Sequence, residues 1–223
     1  MSSRNFSNYL TGTSIIIGAI LMLIATLLHP PLVNPYDGKT AFQGFSDADF
    51  WMWDHILMLI ATSLWLIGLA GSEHFFANRS KSAKLGSCLF FVSLSLWIFI
   101  LAAELTALPI LGEEFIKGRN RVLLELWQAF FSLGLLAGYF AVMCSWLGIC
   151  LYGWSLKQTH TDLPSLFTKG AFFFSGLIGV IGILLTFLSF NMGYILIPLT
   201  SAPPYLWSIW LGWKIMKNGY LNE

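Results

Sequence analysis

Long apolar stretches recur from Leu10 to Trp213, and the polar residues gather mostly between them. About 20 apolar residues in a helix cover a hydrocarbon core of roughly 30 Å, so this pattern predicts membrane-spanning helices. Six spans fit it: Tyr9–His29, Trp51–Gly71, Lys84–Leu111, Val122–Tyr152, Gly170–Phe190 and Tyr194–Ile215. Pro30-Pro31 stops the first, because proline cannot continue a helix. The sixth contains Pro198 and Pro203-Pro204, which leaves two shorter pieces as an alternative. The run from Leu10 to Leu28 follows Arg4 and exceeds the roughly 7–15 residues of a signal-peptide core, so a retained first helix is expected. The expected architecture is all-α, a single transmembrane helical domain over residues 1–223.

Composition agrees with that solvent. Charged residues make up 10% of the chain, against about 25% in a soluble domain, too few to cover a water-facing surface. A net charge of +1 gives no case for nucleic acid. Cys88, Cys144 and Cys150 all sit in apolar stretches with no metal or disulfide spacing, and read as packing residues. Cytoplasmic segments carry an excess of Lys and Arg. With the N-terminus inside, Arg4, Arg79, Lys81, Lys84, Lys157, Lys169, Lys214 and Lys217 fall inside, and Lys39, Lys117, Arg119 and Arg121 fall outside. Both termini are therefore expected in the cytoplasm. Trp51, Trp53, Trp127, Trp154 and Trp213 lie near span ends, where indole rings anchor at headgroup level. The outer connection 30–50 carries a turn signal at Asn34-Pro35-Tyr36-Asp37-Gly38, and Phe42, Phe45 and Phe50 suit either a lid over the bundle or a loop resting on lipid.

A charge near the centre of a span costs about 2.5–3.5 kcal/mol on insertion scales, so each polar group there asks for a reason. His29, Asp54, His55, Glu104, Glu125, Gln128 and Asn191 form that set, and the span directions put all of them in or near the outer leaflet. Glu125, Gln128 and Ser132 share one helix face by their spacing. Asp54 and His55 are neighbours about 100° apart and need not face one partner. Glu104 lies roughly 6–8 Å inside its span end, deep enough to require a proton, a histidine or a cation. His29, His55, Glu104 and Glu125 are the expected metal ligands, because imidazole and carboxylate suit a transition metal; two histidines could also clamp a haem. Asp54, Gln128, Asn191 and Tyr205 are the further ligand-binding candidates, Tyr205 for its place beside the prolines of the sixth span. Plainer roles stand beside these: His29 facing headgroups, Asp54 and His55 capping a helix, Glu104 hydrogen-bonding a neighbouring helix, Glu125 pairing with Arg119 or Arg121. No Glu-x-x-His or His-Glu-x-x-His pair is present.

A first helix ending in His29-Pro30 and a second opening with Trp51-Met52-Trp53-Asp54-His55 resembles uncharacterised small bacterial multi-pass membrane proteins. The resemblance covers about the first third of the chain. It implies a bacterial inner membrane and lends no activity. Three functional readings follow from the residues. One is an outer-leaflet His/Glu pocket for a metal, a haem or a small polar ligand. The second is a proton-linked transporter titrating at Glu104, with the Pro-broken sixth span as its moving element. The third is a non-catalytic subunit or assembly factor, paired with another membrane protein or with its own copies in the bilayer.

Overall fold

The computed structural model describes residues 3–76, 80–158 and 165–220. Among them every regular element is helical. The helices are α1 (Ser3–Leu28), α2 (Gly38–Ser46), α3 (Trp51–Gly71), α4 (Lys81–Leu105), α5 (Ala107–Gly118), α6 (Arg121–Gln158), α7 (Ser165–Leu188) and α8 (Gly193–Tyr220), with short 3-10 turns at Ser72–Phe75 and Phe190–Met192. Five helical stretches among the described residues are long and apolar enough to cross a membrane: Phe6–Leu28, Trp51–Phe75, Lys81–Gly118, Arg121–Leu156 and Gly170–Leu188. α8 is not among them; three prolines, Lys214 and Lys217 dilute its apolar character. It is nonetheless one continuous helix through Pro198, Pro203 and Pro204, not two pieces.

Six helices pack side by side in a closed ring, α1–α3–α4–α6–α7–α8 and back to α1. Neighbours run antiparallel throughout, as short connections require. Ser87 Oγ donates to the Ala70 carbonyl and Trp51 Nε1 to the Glu104 carbonyl, at opposite ends of the α3–α4 pair. Thr13 meets Met216, while Tyr205 donates to the Ala19 carbonyl further along, which sets α8 antiparallel to α1. Buried hydroxyls tie the helices where lipid offers no partner: Ser93 Oγ donates to the Ala141 carbonyl and lies 2.8 Å from Ser145 Oγ.

At one end the ring carries a cap. α6 has 38 residues, a length of about 57 Å at 1.5 Å per residue, well beyond a hydrocarbon core. Its first turns project past the end of α4 and pack against α5 and α2. Ala41, Trp51, Leu108 and Trp127 form a separate buried cluster there, with Phe42, Phe45 and Phe131 packed on it. So the connection 30–50 does fold over the bundle, through Phe42 and Phe45; Phe50 stays exposed. Phe45 packs closely on Gly112 of α5, where a Cβ would come within 2.4 Å of the ring. Trp51 and Trp127 therefore depart from the expected interface role, since both are buried, while Trp53 and Trp213 remain exposed. Aromatic partners supply the reason: Phe42 and Phe45 of α2 and Phe131 of α6 pack on Trp127, and Phe45 packs on Trp51.

Asp37 caps α2, accepting from the Thr40 amide at 3.2 Å and the Thr40 hydroxyl at 2.8 Å. Those bonds hold its carboxyl below the usual value of 3.8. A depressed folded-state pKa means the cap is complete above 3.8 and is lost as pH falls through the lowered value. Amide exchange at the start of α2 should therefore stay protected down to the ordinary carboxylate range and open below it. Asp37→Asn, which keeps a capping oxygen, should remove that pH dependence.

Candidate functional site

The site forms where three helix ends meet beneath the cap. His29 follows α1, Asp54 and His55 stand in the opening turns of α3, and Glu104 is the penultimate residue of α4. His29, Asp54 and His55 each offer a ligand atom, and these atoms lie within 4.8 Å of one another. Asp54 is 2% and His55 0% exposed. His29 and Glu104 are half-buried. The His29 and His55 ring centroids are 5.2 Å apart.

Hydrogen bonds fix which ring nitrogens are left over. His55 Nδ1 lies 2.6 Å from the Trp51 carbonyl, and His29 Nδ1 lies 2.7 Å from the Pro30 carbonyl. A carbonyl only accepts, so each Nδ1 carries a proton and each Nε2 is freed. His55 Nε2 sits 3.3 Å from Glu104 Oε2, but off the line of a hydrogen bond, and it has no hydrogen-bond partner. Both carboxylate oxygens of Asp54 are buried and equally without one. His55 Nδ1 is 3.6 Å from Asp54 Oδ2, a charge contact only, because its proton already serves Trp51. The result is a buried imidazole nitrogen facing the Glu104 carboxylate, beside a buried Asp54 carboxylate that has no hydrogen-bond donor. Such a set needs a cation, whether a proton or a metal ion, to be tolerable at low dielectric.

The other expected residues have partners of their own. Glu125 is exposed and accepts from Arg121 Nε at 2.8 Å, the plainer role noted for it, and it does not join the His29, Asp54, His55 group. Gln128 packs its side chain across Gly38 of α2, and its carbonyl accepts from Ser132 at 2.9 Å. Asn191 accepts from Asn34 Nδ2 at 2.6 Å and so ties the start of the cap to the α7–α8 junction. Tyr205 packs on Trp65 in addition to its bond to Ala19.

One residue of the site escaped the sequence reading. Trp51 stacks on the His55 ring with centroids 4.2 Å apart and planes at 26°. Its spacing of four residues before His55 puts the two on one helix face, and that was the available signal. Its position at a span end pointed instead to an interface anchor.

Fold and site together define a class: a multi-pass helical membrane protein with a buried His/Asp grouping that could hold a metal ion under an aromatic cap. No family model, no curated protein and no solved structure matches the chain.

Proposed function

We propose that this protein binds a transition-metal ion through His29, Asp54 and His55, with Glu104 closing the site from α4, and that it crosses the membrane six times with both termini in the cytoplasm. The facing of His55 Nε2 and Glu104 Oε2 across 3.3 Å carries the metal reading. Four tetrahedral bonds of about 2.0–2.1 Å put neighbouring ligand atoms about 3.3 Å apart, so this pair already has the spacing of two ligands on one ion. Two imidazoles and two carboxylates suit zinc, iron or other first-row ions. The His29–His55 ring separation of 5.2 Å suits two imidazoles on one bare tetrahedral ion, whose ring centres lie about 5 Å apart for metal–nitrogen bonds of about 2 Å.

Six crossings are supported by the closed ring, in which α8 lies between α1 and α7. The antiparallel α1–α8 pairing supports termini on one side, and the basic bias of the opposite end from the site supports the cytoplasm as that side. Arg79, one contributor to that bias, lies outside the described residues, as do the side chains of Arg4, Lys157 and Lys169.

Elemental analysis of the full chain in detergent, after dialysis against zinc and then against metal-free buffer, tests the reading. About one zinc per chain is expected, falling sharply in His55→Ala. Zinc at or below the level of His55→Ala in the native sequence would sink it.

A proton-linked carrier is the second reading, favoured by the place of His55 between Asp54 and Glu104. It draws no support from α8 as a moving element. Trp146 Nε1 donates to Ser201 Oγ at 3.0 Å, and Thr200 packs against Gly182, which fixes α8 to α6 and α7. Proteoliposome flux that Glu104→Gln abolishes, in a protein without bound metal, would favour this reading over the first.

A further inference from the structure

Trp51 touches two of the ligand-bearing residues at once. Its ring stacks on His55, its carbonyl accepts the hydrogen bond from His55 Nδ1, and its indole Nε1–H donates to the Glu104 carbonyl at 2.9 Å. That carbonyl belongs to the last turn of α4, where helix carbonyls lose their intrahelical donors. The chain leaves helical geometry just beyond it, at Thr106, with φ −129° and ψ −72°. One side chain therefore clamps the first turn of α3 to the last turn of α4. The jaws of the clamp are the residues whose Nε2 and Oε2 face each other across 3.3 Å. Phe45 of α2 meets the same indole edge-on at 5.1 Å and is itself seated on Gly112.

We infer that Trp51 is a positioning residue that sets the spacing of the His55 and Glu104 ligand atoms, and that the α2 cap tunes this spacing through Phe45. The inference rests on the metal reading above. A metal site whose ligands come from separate helices depends on whatever holds those helices in register, and outer partners of metal ligands typically change affinity by about 10–100-fold. Trp51→Phe separates the two jaws, because it keeps a ring against His55 and removes the donor to Glu104.

The experiment is a Co(II) titration of the full chain in nanodiscs, following affinity and d–d absorption, with thermal unfolding alongside. Trp51→Phe should weaken Co(II) binding by about 10–100-fold and shift the absorption of the bound ion away from four-coordinate intensity. Phe45→Ala, which reaches the site through the Trp51 ring, should move both in the same direction by less. Native affinity and absorption in Trp51→Phe overturn the inference. An unchanged bound spectrum with affinity and melting temperature falling together also overturns it, since that is the mark of a merely structural tryptophan. A native protein that takes up no Co(II) refutes the metal reading instead. The clamp is then judged in metal-free protein, where Trp51→Phe must accelerate amide exchange over residues 103–108, and unchanged exchange there overturns it.

Discussion

Asp54→Asn is expected to stabilise the metal-free protein and to abolish its stabilisation by zinc. Asp54 is buried, and neither carboxylate oxygen has a hydrogen-bond partner. An unsatisfied buried polar group costs about 1–3 kcal/mol, and more when charged. Asparagine keeps the shape and removes the charge, so the melting temperature without metal should rise. With metal the sign reverses. A ligand at 100 times its Kd adds about 2.7 kcal/mol to stability, and an amide in place of a carboxylate ligand forfeits most of that. The measurement is a pair of melts, with and without zinc, on the native protein and the variant. A metal-free protein that Asp54→Asn destabilises would show that a protonated His55 already neutralises Asp54, and would move the weight to proton chemistry.

Gly18→Ala should unseat α1 and weaken metal binding from a distance. A Cβ at Gly18 would lie 2.3 Å from the Trp65 backbone nitrogen and 2.7 Å from its Cα. Backbone atoms cannot turn aside, so α1 must move away from α3. Overpacking of this kind costs about 1–3 kcal/mol, occasionally more. His29 lies on the continuation of the same helix, about 16 Å further along at 1.5 Å per residue. It should leave the Asp54 and His55 ligand atoms as α1 shifts, so stability and zinc affinity fall together. Gly138→Ala provides the control, because a Cβ there meets nothing within 4 Å. Its expected effect is neutral or a gain of about 0.4–1 kcal/mol. Equal melting temperatures for the two variants would mean that the α1–α3 approach is looser than the backbone distances require.

Part of the site was legible in the sequence because burial in lipid makes any ionisable side chain conspicuous. His29, Asp54, His55 and Glu104 stood out by depth alone, and the structure groups the first three and sets Glu104 against His55. Hydropathy along the chain could not separate them from Glu125, which stands in the projecting turns of α6, about 13 Å along the helix at 1.5 Å per residue from the Gly134 that faces Glu104, and pairs there with Arg121. The difference is how far α6 runs beyond its neighbours, and within a span it is rotation about the helix axis. A helix that is apolar nearly all round gives little sign of which face will be covered, so the azimuth is set by neighbours. Asp54 and His55 make the same point, since adjacent residues about 100° apart both end up buried in one site.

The sequence by itself determined the solvent, the all-helical class, most of the span positions and the residues that could do ionic chemistry. These are local properties: hydropathy over some 20 residues, proline stops and the scarcity of charge. Tertiary structure alone decided the ring order, the continuity of α8 through three prolines, the seating of α2 on Gly112 and the use of Trp51 as a clamp. Each of those depends on close contact between segments distant in the chain. Contact of that kind is fixed by shape and by which buried polar group finds a partner, and neither is written in any one stretch of residues.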